Sequence, residues 1–369
     1  MLKKIMNEAS LTVRITTTGP LLIKSGRDTV SGPNMTPVLT FRNNRQEVFI
    51  PGSSLKGVFR SHIERVVGSL KARVVCYPFS VEADKEADRK QRQRDYRESC
   101  GEMFNKIAKK DDDRQGEERS KRLDARKDIV YAASCPACRL FGSTSFIGRI
   151  AINDAYLAPD TKEIKELRDG VGIDRLTGGA SHGAKFDLEV VSTGVAFETD
   201  IHLRNFELWQ LGMLFIVLQD MEDELIPLGS GRSRGLGKVK TEIILQDRPA
   251  HPGGVVISTI RDAEASEPVE ELWGLGRWLD DGNKDRTLKK DDLLGLSFPG
   301  DGYYGTWSDD HLTLTPAIER NPHGIRLRRA FKDDTLTALR AGTIDQFISR
   351  MKEWPTQPQP VVVDGARRS

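Results

Sequence analysis

The sequence predicts an α+β protein with a ferredoxin-like βαββαβ core. Three observations favour this fold class: alternating apolar residues near the N-terminus, a helical apolar repeat after them, and a second helix–strand pair beyond several short predicted strands. The chain has 369 residues, which leaves room for additional segments around such a core.

The first strand and the first helix have the clearest patterns. Apolar residues alternate with polar ones over residues 11–15, as in a strand with one buried face. Apolar residues then recur at helical spacing over residues 55–70, and Ser53 or Ser54 could cap the start of this helix. Between the two elements lies the glycine- and serine-rich stretch "PGSSLKG".

The rest of the core is predicted from shorter patterns. Residues 149–157 resemble a strand, and residues 188–203 resemble two strands joined at 192–194. Asn205 could cap a helix that continues to about residue 220, and a last strand is expected near 237–245. We therefore expect the core to occupy residues 1–245.

Two further regions differ from the core in composition. Residues 82–128 hold fifteen basic and fourteen acidic residues, which is typical of a solvated helix pair or a mobile loop. Residues 246–369 form a C-terminal extension of unknown role, with a helix expected near 332–352.

The chain has four cysteines, two of which form the CxxC motif "CPAC". Zinc favours four thiolates in a tetrahedral arrangement, and a CxxC turn presents two of them to one ion. Because the cysteines flank a charged insertion at 76–138, we expect a structural zinc held by Cys76, Cys100, Cys135 and Cys138. A redox CxxC and unrelated thiols are the alternatives, and disulfides are not expected in a cytoplasmic protein.

Positive charge is concentrated in two parts of a nearly neutral chain. The net charge is +2, yet residues 1–80 hold twelve Lys or Arg against four Asp or Glu. A second basic stretch, "GSGRSRGLGK" at 229–238, matches neither a dinucleotide fingerprint nor a P-loop. Exposed amides and guanidinium groups suit a phosphate backbone, so we expect RNA or DNA to bind there without sequence preference.

Membrane insertion is not expected. The longest unbroken apolar run is residues 213–218, which is too short to cross a bilayer. The N-terminal "MLKKIMNEAS" has no apolar stretch resembling a signal peptide, so we expect a cytoplasmic protein without a membrane partner.

Four motifs occur along the chain in this order: "IPGSSLKGVFRSHIE", "CPACRLFGS", "GVGIDRLTGGASHGAKFDLEVV" and "PLGSGRSRGLGKV". This succession resembles the RAMP superfamily of CRISPR-associated proteins, whose core is RRM-like. It is most similar to the backbone subunits of type III effector complexes, which act in antiviral defence. The resemblance implies a ribonucleoprotein whose partners are guide RNA, target RNA and other RAMP subunits.

The resemblance also implies which residues contact RNA. A β-hairpin thumb over residues 170–186 would separate the guide–target duplex at regular intervals, and the first helix and the glycine-rich loop would hold the guide backbone. The implied RNA-binding residues are Ser53, Ser54, Lys56, Arg60, Asp174, Arg175, His182, Lys185, Arg232, Arg234 and Lys238.

Two enzymatic alternatives stay open. Active backbone subunits carry an acid two residues before a proline in the loop after the first strand, where this chain has Met35 before Pro37. Asp28 is the nearby acid that could replace it, with Mg²⁺ required only if the subunit is a nuclease. We expect little or no cleavage of target RNA. An RNA-processing nuclease with His182 as general base is the other alternative.

Overall fold

The structure, a computed structural model, describes residues 5–26, 33–42, 44–77, 96–97, 99–101, 134–144, 146–248, 253–260, 271–275, 310–315, 317–320 and 326–354. The helices in this part of the chain are α1 (Gly52–Leu70), α2 (Pro136–Phe141), α3 (Leu208–Glu222) and α4 (Asp333–Glu353). None of them has the length and apolar character needed to cross a bilayer.

The strands vary from two to twelve residues in length. They are β1 (Asn7–Thr17), β2 (Leu39–Arg42), β3 (Arg45–Val48), β4 (Gly142–Ser143), β5 (Phe146–Ile147), β6 (Ile150–Ile152), β7 (Tyr156–Leu157), β8 (Lys165–Ile173), β9 (Ala180–Val191), β10 (Ala196–Arg204), β11 (Val239–Ile243), β12 (Val255–Ile260), β13 (Glu271–Trp273), β14 (His311–Thr313), β15 (Ala317–Arg320) and β16 (Arg326–Phe331).

A large antiparallel sheet organises this mixed α+β structure. Its order is β15-β16-β12-β1-β10-β6, with β11 beside β1 and β7 beside β10. β1 is central because it pairs with β10 along one edge and with β11 and β12 in succession along the other. The strands β11-β1-β10-β6 are adjacent in the sheet, and along the chain they occur in the order β1-α1-β6-β10-α3-β11.

The two faces of the sheet have different chemistry. Every second residue of β1 is buried, as the alternation in the sequence predicts, and Leu11, Val13 and Ile15 join one apolar core with the buried faces of α1 and α3. The opposite face, which we call the open sheet face, carries polar and charged side chains from β1, β10 and β11, together with Arg248 and Arg326, which pair with carboxylates of β10 and β1.

The C-terminal extension is built onto the same sheet and helices. Strand β12 pairs with β1, β16 pairs with β12, and α4 packs against α3. The two helices approach closely, since a Cβ atom added at Gly212 would lie 2.1 Å from the carbonyl oxygen of Thr343. Trp354, just after α4, packs edge-on against Trp209 of α3 with ring centroids 5.2 Å apart.

Three local expectations are wrong in detail. Neither Ser53 nor Ser54 caps α1, which begins at Gly52; the backbone N–H of Gly52 instead donates to Asp154 Oδ1 at 2.7 Å. Asn205 does not cap α3, because Glu207 takes that position in a capping box with Gln210.

The third difference is that the strand expected over 149–157 is interrupted and forms two short strands, β6 and β7. The helix expected near 332–352 is confirmed as α4. The charged insertion over 82–128 lies outside the described residues, apart from 96–97 and 99–101.

Candidate nucleic-acid interface and metal centre

The four cysteines converge on one buried point. Their Sγ atoms all lie within 4.8 Å of one another, and each residue is at most 1% exposed. Cys76 Sγ lies 3.5 Å from Cys138 Sγ and 3.7 Å from Cys135 Sγ. The sequence-based prediction that these residues cluster is therefore confirmed, and all four sit within the main apolar core.

The cluster has the dimensions of a tetrathiolate metal site. Zinc–sulfur bonds of about 2.3 Å in a regular tetrahedron place neighbouring sulfurs about 3.8 Å apart. The sulfur–sulfur distances of 3.5 and 3.7 Å are close to that value and far too long for a disulfide. Four buried thiols in this arrangement could bind a metal such as zinc.

The four thiols interact with one another through hydrogen bonds. Hydrogen bonding with Cys100 raises the pKa of Cys76 and Cys138, whereas hydrogen bonds from the other three thiols lower the pKa of Cys100. Backbone N–H groups also bond to these sulfurs: Cys135 N donates to Cys100 Sγ at 3.3 Å, and Cys138 N to Cys135 Sγ at 3.4 Å. A divalent cation bound here would displace the thiol protons.

The glycine-rich loop at 229–238 has a well-defined backbone. Residues Arg232–Arg234 form a 3-10 turn between Gly231 and Gly235, both in the left-handed region. Gly237 also has a positive φ of 88°, and a Cβ atom there would lie 2.0 Å from the carbonyl oxygen of Leu228. The loop therefore requires glycine both for its left-handed backbone conformations and for its close approach to Leu228.

The loop presents three exposed cations, Arg232, Arg234 and Lys238, which we call the loop cations. In the described part of the chain, no carboxylate forms an ion pair with any of them. Arginines of the open sheet face differ: Arg14 contacts Asp160 at 2.9 Å, and Arg248 makes a two-pronged contact with Glu198.

The turn that starts α1 is held tightly against the chain after β6. A Cβ atom on Gly52 would lie 2.3 Å from the carbonyl oxygen of Ile152, so only glycine fits. Ser53 is exposed and Ser54 half-buried, while Lys56 donates to the carbonyl oxygen of Ile150 at 3.4 Å. Burial and the positive charge of Arg60 together lower the pKa of Lys56.

Arg60 points towards the cysteines rather than outward with the loop cations. Its guanidinium donates to Glu64 Oε1 at 2.8 Å, to the carbonyl oxygen of Gly142 at 2.9 Å and to Cys138 Sγ at 3.3 Å. The resemblance implied that Arg60 contacts RNA, and the structure brings its side chain to the cysteine cluster.

Strands β8 and β9 form a hairpin that encloses the expected 170–186 segment and extends to 165–191. Arg175 and His182 are exposed on it, and Asp174 closes its turn by accepting from the backbone N–H of Leu176. Lys185 pairs with Asp169 at 3.3 Å, and the side chain of Leu176 at the tip is 96% exposed.

The hairpin and the glycine-rich loop meet at their bases. A small apolar cluster joins the segment after β1, strand β9 and the loop; its members are Leu22, Leu188, Val190 and Leu236, with Met35 and Phe186 packed against it. The guanidinium of Arg234 lies 5.5 Å from the ring centroid of Phe186. The structure thus places the loop cations beside the root of the hairpin.

Met35, in the segment after β1, is held against strand β9. Its backbone bonds to β9, with Met35 N donating to Asp187 O at 3.2 Å and Glu189 N donating to Met35 O at 2.9 Å. Its side chain packs on the apolar cluster at the hairpin root. Asp28 lies outside the described residues.

Sequence patterns missed two residues of this region. Asp154, which binds the start of α1, lies between β6 and β7 within the stretch expected to form one strand, so the sequence pattern assigned it no role. Phe186 was included in the hairpin, but its contact with Arg234 depends on a meeting of segments about fifty residues apart in sequence.

Comparison with known proteins identifies the family of the chain. A search of curated proteins gives no match. The family model of the RAMP superfamily matches residues 14–240, which is more than half of the chain and includes the end of β1, α1, the CPAC motif, the hairpin and the glycine-rich loop. The chain therefore belongs to the RAMP superfamily.

Proposed function

We propose that this chain is a guide-RNA-binding backbone subunit of a type III CRISPR ribonucleoprotein that acts in antiviral defence. Membership of the RAMP superfamily indicates a CRISPR-related, RNA-binding role shared with other Cas subunits. The proposal adds the type of complex, the position of the subunit along the guide and its contact with target RNA.

The loop cations carry this proposal. Three exposed positive side chains stand on a backbone that glycines fix in shape, and within the described residues they have no acidic partner. Positive charge that is left unneutralised attracts a phosphate backbone, whereas the ion-paired arginines of the open sheet face are already satisfied.

The start of α1 supplies a second contact in this proposal. Ser53 and Ser54 offer hydroxyls to phosphate or ribose oxygens, and Lys56 offers a partly buried ammonium group. A phosphate near Lys56 would offset the repulsion from Arg60 that lowers its pKa.

The proposed domain plan is a ferredoxin-like core over residues 1–245 followed by the C-terminal extension. The adjacency β11-β1-β10-β6, together with the chain order of these strands and of α1 and α3, supports that core. The extension over 246–369 would enlarge the core, since β12 and α4 are packed directly on it.

The hairpin of β8 and β9 is the proposed thumb. It carries Asp174, Arg175, His182 and Lys185 away from the sheet, and an exposed leucine stands at its tip. In this role its tip would enter the duplex formed by guide and target RNA, and its root would stay fixed to the glycine-rich loop.

Zinc is the proposed metal of the cysteine site. The sulfur spacing supports a small tetrahedral ion, and the all-thiolate donor set favours zinc over oxygen-seeking ions such as Mg²⁺. The ion would stabilise the fold, because four protein ligands leave no open position for substrate.

The subunit is proposed to bind target RNA without cutting it. A thioether packed in an apolar cluster is a poor ligand for Mg²⁺, which prefers hard oxygen donors, and Met35 occupies the acid's position. Asp28 is the residue whose substitution would test the alternative of a metal-dependent endoribonuclease.

A binding assay with a matched control tests the proposal. Labelled single-stranded guide RNA is titrated with the zinc-loaded full chain, its triple alanine variant at the loop cations, and a control variant. The control replaces three ion-paired arginines of the open sheet face, so that both variants lose three positive charges: Arg204, Arg248 and Arg326.

The proposal expects the loop variant to bind RNA much more weakly and the control to bind like the parent. Equal weakening in both variants would mean that only net charge matters, and unchanged binding in the loop variant would place the RNA elsewhere. Either result contradicts the proposal.

A further inference from the structure

Three residues on one stripe of α1 bind the chain segment that leaves the cysteine site. Spaced four apart along the helix, they face the same side. Gly52 N donates to Asp154 Oδ1 at 2.7 Å, Lys56 Nζ to the carbonyl oxygen of Ile150 at 3.4 Å, and Arg60 Nη1 to that of Gly142 at 2.9 Å.

Arg60, the last of these three residues, contacts the cysteine cluster. Its Nη2 group lies 3.3 Å from Cys138 Sγ, within hydrogen-bonding distance for a sulfur acceptor. Nε is bonded to Glu64, so all three nitrogens of the guanidinium have partners inside the protein. The side chain is 22% exposed, far less than expected of a residue that grips a phosphate from solvent.

A metal-loaded site would need such a donor. One divalent ion with four thiolates carries a net charge of −2, and these four residues are at most 1% exposed. Buried negative charge is costly unless hydrogen bonds or positive charges offset it. Backbone N–H groups reach Cys100 and Cys135, and Arg97 adds positive charge beside Cys100. Arg60 supplies a charged donor to Cys138.

We propose that Arg60 is a positioning residue of the metal centre and not an RNA contact. It donates an N–H···S bond to Cys138 and fastens the loaded centre to α1 through Gly142. The inference rests on the zinc site of the proposed function, and it reassigns a residue that the sequence pattern placed among the RNA ligands.

The arrangement has a consequence for the start of α1. The same stripe that ends at Cys138 begins at Gly52, beside the serines proposed to hold RNA. A metal bound to the cysteines therefore also holds in place the chain segment against which the start of α1 packs.

The test is the rate at which zinc leaves the folded full chain. Zinc-loaded parent and variants are mixed with an excess of a chromogenic chelator, and release is followed by absorbance. Arg60→Ala and Arg60→Gln should release zinc about 10- to 100-fold faster than the parent, as is typical for outer-shell partners of metal ligands. Arg65→Ala is the matched control. This arginine lies on the same helix, its side chain bonds among the described residues to the backbone oxygen of Ser61, and the variant should release zinc at the parental rate.

RNA binding distinguishes the two roles of Arg60. With zinc saturating, Arg60→Ala should keep the parental dependence of RNA affinity on salt. A parental release rate together with a salt slope lowered by about 0.7 would overturn the proposal and return Arg60 to the RNA interface. If the parent itself does not bind RNA, the proposed function is wrong, but the zinc-release comparison still tests the role of Arg60.

A milder variant keeps the proposal testable even if Arg60→Ala and Arg60→Gln fail to fold. Arg60→Lys keeps a positive charge of similar reach but loses the planar fork, so it should fold and still release zinc faster than the parent. In the cobalt-substituted chain, the same variant should shift the thiolate-to-metal absorption band. A parental release rate and an unshifted band in Arg60→Lys would both contradict the proposal, as would a parent that binds no zinc.

Discussion

Removing the metal from the cysteine site should lower the melting temperature of the chain by on the order of 10 °C. The four ligands belong to the main apolar core, so the free energy of metal binding adds to the stability of the whole core. At a free zinc concentration 1,000 times the dissociation constant, this contribution is about 4.1 kcal/mol. A core of this size shifts by about 2–4 °C per kcal/mol, which gives roughly 8–16 °C.

The assay is differential scanning calorimetry of the full chain with saturating zinc and with a strong chelator, paired with elemental analysis. The parent should hold close to one zinc per chain. Cys135→Ser should hold none, melt at a lower temperature and show no further change with chelator. Hydrogen exchange should rise in α2, and also in the part of α1 that Arg60 joins to the site.

Two results would refute this reasoning. A parent that contains no zinc after purification in zinc-containing buffer would mean that the sulfurs cluster for packing alone. A parent that contains zinc but melts at the same temperature after chelation would mean that the site is closed without contributing to the stability of the core.

Three further predictions concern RNA binding, helix packing and catalysis. Replacing the loop cations with alanine should reduce the salt slope by about 2, so that between 50 and 200 mM salt the parent loses about 20-fold more affinity than the variant; equal losses would contradict this. Gly212→Ala should destabilise the protein by about 1–3 kcal/mol in denaturant unfolding, because its Cβ atom would strike the backbone of α4. The control Gly57→Ala, whose Cβ atom would meet open space on α1, should be neutral or stabilising, and the same loss at both positions would point to another cause. Asp28→Ala should leave the cleavage pattern of a target RNA unchanged in the assembled complex, whereas loss of one discrete cut with unchanged binding would make this subunit an endoribonuclease.

Elements with long local periodicity could be predicted from the sequence. The alternation around Val13 predicts β1, and the helical repeats predict α1 and α4, because burying one face of a long element leaves a regular pattern. The cysteine cluster was also predictable, since a CxxC pair and two further thiols have few other reasons to occur together.

Contacts between distant segments could not be predicted. The sequence pattern predicted one strand across β6 and β7, which have only three and two residues, so neither the break between them nor the contact that Asp154 makes there could be foreseen. Arg60 shows the same limit in the candidate site. An arginine on the first helix of a basic region looks like an RNA ligand until the fold brings Cys138, 78 positions later, to its side.

The central position of β1 has a consequence for how the chain is made. This strand is synthesised well before its hydrogen-bonding partners β10, β11 and β12, the last of which ends at Ile260. At about 5–20 residues per second, the ribosome needs roughly 12–50 s to make the intervening 240 or so residues. Until then the sheet around the apolar side chains of β1 is incomplete, which favours protection of the nascent chain by chaperones. The glycine-rich loop is tied to the segment just after this strand through Gly237 N to Pro20 O, so the guide-RNA contact proposed for it can form only after translation has reached β11.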